Sequence, residues 1–245
     1  MTAPTIRVGC AGWSFASAQA RHFGEGDSQL ARYATRFDVV EINSSFYRSH
    51  RRATYARWAE TVPRGFRFSV KLPRGITHDA RLERCGSALD RFADETGGLG
   101  SKLGGLLVQL PPSLVFAPRT AATFFAMLRR RFPRISVACE PRHASWFAPG
   151  VDALWERHAV ARVAADPASV PGAGVPGGAG RWHYWRLHGS PRMYYSAYGE
   201  ARLRGYADAT RRAARRGRPA WCIFDNTAHG FAIEDAVLMQ ALTRP

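Results

Sequence analysis

The sequence predicts an α/β fold of the TIM type, a (β/α)8 barrel of parallel strands, laid out as one domain over residues 1–245. Three observations carry that expectation. Eight short runs rich in β-branched and aromatic residues punctuate the chain. A helical stretch separates most neighbouring runs, as parallel pairing requires. The rival doubly wound sheet lacks its phosphate-binding signature, because Gly9-Cys10-Ala11-Gly12-Trp13 after the first run has the wrong glycine spacing.

The elements follow in order. Residues 6–13 read as a strand, and 28–37 as a helix with Leu30, Tyr33, Ala34 and Phe37 at helical spacing. Strand 39–47, helix 54–62, strand 66–73 and helix 88–99 come next. Strand 105–111 stops at Pro111-Pro112, which cannot donate to a ladder. Helix 119–132 begins after Pro118. Strand 135–142, helix 151–159 and strand 160–166 complete the sixth unit. Residues 167–180 are rich in Gly, Pro and Ala without helical periodicity, so the helix between the sixth and seventh strands is replaced or degenerate. Strand 182–189, helix 198–217, strand 220–227 and helix 233–243 close the chain. No internal repeat or domain linker interrupts the alternation.

Composition narrows the class. Apolar residues make up 46% and charged residues 22%, an ordinary globular balance that excludes a disordered or fibrous chain. The formal charge is +16, and Lys71 and Lys102 are the only lysines, so the excess is almost wholly arginine. Such a balance favours an anionic small molecule or nucleic acid as partner, or reflects an arginine-for-lysine bias on a solvated surface. Basic clusters at Arg129-Arg130-Arg131 with Arg134, and at Arg211, Arg212, Arg215, Arg216 and Arg218, fall on outer helices. No apolar run is long enough for a bilayer, and residues 1–7 lack the pattern of a secretory signal, so no membrane partner and a cytoplasmic location are expected. The cysteines, Cys10, Cys85, Cys139 and Cys222, are far apart and read as reduced, buried thiols.

Strand parity assigns the interior. Alternate residues must be apolar to meet the helices, and the others face inward. Val40 and Ile42 point outward, which turns Glu41, Asn43 and Ser45 inward. By the same rule Ser69, Lys71, Gln109, Glu140, Arg142, Arg186, His188 and Asp225 face in, while Asp166 shares the parity of Ala164. Most of these stand near the carboxyl ends of their strands, where barrel active sites lie. Gathering so many ionisable groups costs desolvation that pairing only partly recovers, which points to a functional cluster.

These residues sit inside a set of runs. They are Val8-Gly-Cys-Ala-Gly-Trp-Ser14, Val40-Glu-Ile-Asn-Ser-Ser-Phe-Tyr-Arg48, Phe68-Ser-Val-Lys-Leu-Pro-Arg-Gly-Ile-Thr-His78 and Leu107-Val-Gln-Leu-Pro-Pro-Ser113. Glu140-Pro-Arg-His-Ala-Ser-Trp146, Arg186-Leu-His-Gly189 and Phe224-Asp-Asn-Thr-Ala-His-Gly-Phe-Ala232 complete it. In this order, from about Arg7 to the last helix, the set resembles the family called domain of unknown function 72, the YecE-like proteins. Ala11 departs from the pattern, standing where a small hydroxyl residue is expected. The resemblance implies a TIM-type barrel and supplies no established reaction.

Three chemistries fit the residues. The first is an enzyme on a phosphate-bearing or nucleic-acid substrate, a phosphodiester hydrolase in character. Its expected catalytic groups are Glu41, Lys71, Glu140, His188 and Asp225. Trp13, Asn43, Tyr47, Gln109, Arg142, Trp146, Arg186, Tyr195 and Asn226 would bind substrate, the arginines holding phosphate oxygens and the aromatics stacking on bases or sugars. Glu140, Asp166, His188 and Asp225 form the candidate ligand set for a divalent metal ion. The second is a metal-free lyase, isomerase or glycosidase-like enzyme on a small polar substrate, with Glu41 and Glu140 as acid and base, or with Lys71 as base or Schiff-base nucleophile if it is not held in a salt bridge. The third is a non-catalytic binder of nucleic acid or an acidic protein, using the basic helices. The oligomeric state is open.

Overall fold

The computed structural model describes residues 6–215 and 217–244. Its strands are β1 (Ile6–Cys10), β2 (Val39–Ile42), β3 (Arg67–Lys71), β4 (Leu103–Gln109), β5 (Ser136–Glu140), β6 (Val160–Arg162), β7 (Ala164–Asp166), β8 (Gly177–Gly178), β9 (His183–Leu187) and β10 (Ala220–Phe224). Its α-helices are α1 (Gln29–Tyr33), α2 (Arg52–Thr61), α3 (Gly86–Thr96), α4 (Pro118–Arg131), α5 (Asp152–His158), α6 (Glu200–Arg215) and α7 (Phe231–Thr243). The fold is mixed α/β. Residues 167–182 contain no helix, only turns and the two-residue β8.

The ladders form two sheets, ordered β1-β10-β9-β7 and β2-β3-β4-β5-β6-β8. Every pair is parallel except β6 with β8. The single eight-stranded ring expected from the sequence is therefore divided. One division falls inside the predicted strand 160–166, where β6 pairs with β5 and β7 pairs with β9. Between them Val163 still donates its N–H to Cys139 O at 2.8 Å. The other division falls between β1 and β2. There an isolated parallel bridge joins Ala11 to Glu41, and Gly12 N–H reaches Glu41 O at 2.9 Å. Gly9 makes that approach possible, since a Cβ there would lie 2.2 Å from Val39 O.

Most strands are shorter than predicted, yielding at the carboxyl end to a turn carrying polar side chains, while β4 keeps seven residues and starts earlier, at Leu103. β2 stops at Ile42, and Ser44–Phe46 forms a 3-10 turn pinned by Ser45 Oγ, which lies 2.6 Å from Lys71 O. The predicted helix 28–37 shortens to α1, started by Ser28 Oγ accepting from Ala31 N–H. Pro118 opens α4, where its missing N–H costs nothing.

Two apolar clusters separate the layers. The outward residues Val40, Ile42, Phe68, Val70, Leu106, Val108, Val137, Cys139, Trp185, Leu187 and Phe224 all join the larger cluster, which the helices cover with Tyr33, Phe92, Phe124, Trp155 and Met239. The smaller cluster is internal. It holds Val39, Leu107, Ala138, Val163, Trp182, Tyr184, Trp221 and Ile223. Trp182 fits there only because Gly105 has no side chain, since a Cβ would meet the indole at 2.7 Å.

Many arginines serve as ties. Arg129 on α4 donates to the carbonyls of Phe132, Ile135, His158 and Ala159. Arg131 joins Asp90, Met127 O and Gly86 O, and Arg211 joins Leu242 O and Asp208. Arg216, part of the same predicted basic cluster, lies outside the described residues. Among the described residues no helix is long and apolar enough to cross a membrane. The four cysteines are buried and free.

Candidate functional site

The internal apolar cluster ends in a polar layer. Tyr184 on β9 lies in the smaller core, and its hydroxyl donates to Glu41 Oε2 at 2.8 Å while standing 3.0 Å from Ser69 Oγ. Two residues further along β9, on the same face, Arg186 is fully buried. Its guanidinium meets three carboxylates from three other strands or strand ends. Nη2 is 2.7 Å from Glu41 Oε1 and 2.9 Å from Asp225 Oδ2, and Nη1 is 2.8 Å from Glu140 Oε2. The planar five-donor fork suits this multiple pairing, which a lysine could not reproduce.

His188, past the end of β9, bridges two of the same carboxylates. Nδ1 is 3.0 Å from Asp225 Oδ2 and Nε2 is 3.2 Å from Glu140 Oε1. Only an imidazolium can donate to both. Burial opposes that charge, yet Glu140 and Asp225 outweigh it and raise the pKa of His188. Glu140 also accepts from Gln109 Nε2 at 3.1 Å and pairs with Arg142 Nη2 at 2.9 Å. Burial pushes the Glu140 carboxyl up, but Arg186, His188 and Arg142 together hold it well below the usual carboxylate range. Asp225 is lowered in the same way, with burial opposed by Arg186 and His188.

Lys71, at the end of β3, differs from its neighbours. It is buried, but no carboxylate oxygen lies within ion-pairing distance of its Nζ, so the salt bridge that would have kept it charged is absent among the described residues. Nζ sits 4.0 Å from the centroid of the Phe46 ring. Burial and the adjacent Arg186 lower this amine to about 8. His78 meets the same Phe46 ring edge-on at 4.9 Å. Burial, Lys71 and Arg74 keep its pKa below the usual histidine value. Arg142 is partly exposed, and the same Nη2 lies 3.5 Å from Tyr194 OH. The Tyr194 ring stands edge-on to His188 at 5.5 Å. Tyr47 and Tyr195 are exposed, and Arg192 lies 4.4 Å over the Tyr195 ring. A cavity of about 230 Å³, lined by Gly12, Ser14, Thr227 and Gly230, opens beside the carboxyl ends of β1 and β10.

The structure thus brings Glu41, Lys71, Gln109, Glu140, Arg142, Arg186, His188 and Asp225 into one region. Several other predicted residues stand apart. Asp166 does not join the proposed metal set, because it pairs with Arg202 on α6 at 2.9 Å. The other three, Glu140, His188 and Asp225, are bound up with one another and with Arg186. Among the described residues no group of three or more His, Cys, Asp and Glu is placed to hold a metal ion. The donor set therefore does not fit the divalent ion expected from the sequence.

Trp146, expected to stack on substrate, belongs to the outer core. Its Nε1 donates to Leu114 O at 2.9 Å, and its ring stacks on Trp155. Asn226 is buried and ties Ser196 O to Asp235. Trp13 packs edge-on against Trp58 at 5.0 Å. Asn43 is half-buried, and its Oδ1 has no hydrogen-bond partner among the described residues. Tyr184 was missed as a site residue, although it shares the parity of Arg186 two positions on.

A family model described as "Protein of unknown function DUF72" matches residues 7–245. The UPF0759 protein YecE of Escherichia coli (strain K12) is 30% identical over 125 residues, covering 51% of this chain and 45% of the relative. The UPF0759 protein YunF of Bacillus subtilis is 27% identical over 150 residues, 59% of this chain and 53% of its own. The matches thus span about half the length of these curated relatives. A crystal structure of a DUF72 protein from Enterococcus faecalis V583 matches 98% of this chain and 95% of that chain, with a TM-score of 0.81 at 21% identity. One from Thermotoga maritima MSB8 matches 97% and 98%, with a TM-score of 0.80 at 21% identity. A xylose isomerase-like TIM barrel/4-hydroxyphenylpyruvate dioxygenase fusion protein matches 95% of this chain and 41% of its own, with a TM-score of 0.52 at 12% identity.

Proposed function

The chain belongs to the DUF72 family of proteins of unknown function, and on that premise we propose that it is an enzyme acting on a phosphate-bearing substrate, a phosphate ester or nucleic acid. We also propose that the two sheets are arcs of one TIM-type barrel. Counting β6 and β7 as one strand and setting aside the two-residue antiparallel β8 gives eight. The Ala11–Glu41 bridge and the Val163 bond to Cys139 O support closure at the two divisions, and so does the likeness to a xylose isomerase-like TIM barrel.

One observation carries the functional reading. Glu140 and Asp225 are consumed by cations beneath the mouth, and Glu41 by Arg186, whereas Lys71 has no anionic partner among the described residues and Arg142 is partly exposed. The ion-pair layer is a floor, and what stands above it is positive. A phosphoryl group supplies oxygens to the Lys71 ammonium and to the Arg142 donors not spent on Glu140 and Tyr194. Tyr47 and Tyr195 offer exposed rings for a base or sugar. In this reading Arg142 orients the anion, Lys71 is the group able to take or give a proton near neutral pH, and Arg186 positions Glu41, Glu140 and Asp225 without touching substrate.

The test is binding of a 5′-phosphorylated oligonucleotide and its unphosphorylated twin across a salt series. The expected result is preference for the phosphorylated form, lost by tenfold or more in Lys71→Met and Arg142→Met. Equal binding of both oligonucleotides, unchanged in the variants, overturns the reading. Strong binding that falls steeply with salt but ignores both substitutions would assign the contact to the basic helices instead.

A further inference from the structure

We propose that Lys71 is a carbonyl-capturing nucleophile, so that the substrate held at this mouth carries an aldehyde or ketone as well as its phosphate. The inference rests on the phosphate reading above and narrows the substrate class within it.

The geometry separates Lys71 from the only other lysine. Lys102 is spent on structure, its Nζ donating to the carbonyls of Ala59 and Val62. Lys71 has neither a carboxylate nor a carbonyl as partner among the described residues. Phe46 covers one side of its Nζ. The fixed charge of Arg186 lies below it, held by Glu41, Glu140 and Asp225. A buried amine beside a permanent cation is the arrangement that keeps lysine neutral enough to attack a carbonyl. The three carboxylates would favour the ammonium, but Arg186 already neutralises them locally, and the amine is lowered to about 8.

The step balances without any co-reactant. The Nζ lone pair attacks the carbonyl carbon, and the C=O π pair moves to oxygen. That oxygen gains a proton as nitrogen loses one, giving a carbinolamine. Loss of water then gives an imine. His78, with its pKa held below the usual histidine value and its ring edge-on to the same Phe46, is a group suited to pass that proton. Arg142, partly exposed and with its Nη2 3.5 Å from Tyr194 OH, is the group for the phosphate. An electron-poor imine next to a guanidinium and an imidazolium is set up for proton loss at the neighbouring carbon, a reaction class that needs no metal.

The full-length chain is treated at pH 8 with pyridoxal 5′-phosphate, or with pyridoxal lacking the phosphate. Sodium cyanoborohydride reduces any imine, and peptide mass mapping compares the Lys71 and Lys102 peptides within one sample. That internal ratio needs no variant to fold. The expected result is at least tenfold more adduct on Lys71 than on Lys102, faster with the phosphorylated aldehyde, slowed by inorganic phosphate and absent in Lys71→Arg. Equal labelling of the two lysines, or none, overturns the inference. If Lys71 stays unlabelled while phosphorylated oligonucleotide binding is intact, carbonyl capture falls and the phosphate reading stands. If Lys71 labels selectively but equally fast with both aldehydes, capture stands and the phosphate reading falls.

Discussion

Replacing Arg186 by methionine should be the most damaging single change in the polar layer, and the reason can be worked contact by contact. Arg186 pairs with three carboxylates at 2.7–2.9 Å. Without it Glu140 keeps Arg142, His188 and Gln109, and Asp225 keeps His188. Glu41 keeps only the neutral Tyr184 hydroxyl. An ionised carboxylate stranded in the interior costs about 3–5 kcal/mol when its partner is removed. The variant should lose that much in urea titrations followed by tryptophan fluorescence at pH 7. Arg186→Lys should fall between, because one ammonium cannot span three carboxylates. A loss below about 1 kcal/mol would refute the account of a dry layer organised by one guanidinium.

Tyr184→Phe removes a hydrogen bond to a charged acceptor and should cost about 1.5–3 kcal/mol in the same titration, with Ser69 unable to take its place if the cost is real. Gly9→Ala drives a methyl into Val39 O, so it should destabilise by about 1–3 kcal/mol and speed amide exchange at Gly12, whose N–H crosses between β1 and β2; unchanged exchange there would contradict the close approach. Comparison with Asp235→Asn isolates one pH effect. Burial raises Asp235 to about 6, so folding takes up a proton there, and the advantage of the unmodified chain over the variant should rise as pH falls from about 8 to about 5. Its size is at most about 3 kcal/mol at about 1.4 per pH unit. The profile of the unmodified chain alone also carries opposing groups, since Lys71 is lowered to about 8 and His50, His78 and His158 are lowered while His188 is raised. Below about pH 4 stability should fall, because Glu140 and Asp225 stabilise only while ionised and that contribution is lost as pH falls through their depressed values. A difference that stays flat between pH 5 and 8 would count against the Asp235 assignment.

Much of the site was legible because pleated strands alternate. Once Val40 and Ile42, or Phe68 and Val70, are required to face helices, Glu41 and Lys71 have one direction left. The same rule pointed to Asp166, which shares the parity of Ala164 in the outer cluster, but the attraction of a carboxylate for a metal set obscured it. Its partner, Arg202, is on a helix 36 positions away, a pairing that no local pattern encodes. Trp146 misled for a related reason. It follows a polar run that reads as an exposed loop, yet the 3-10 turn Ala144–Phe147 folds it back onto Trp155. The division of the sixth strand at Val163 was equally invisible, since both halves have strand character and only their partners differ. Parity could place Arg186 inside, but not show that it stands at the centre and occupies the carboxylates a metal would have needed.

The arginine ties carry a consequence for the surface of this protein. Arg129 closes four carbonyls with one planar head group, joining the last turn of α4 to the connection before β6. An ammonium in its place would preserve the isoelectric point and abandon most of those joints. Part of the surplus positive charge is thus a by-product of carpentry rather than an adaptation to polyanions. Any attempt to make the molecule less sticky by thinning its arginines should begin with those on solvent-facing positions and leave the joints alone.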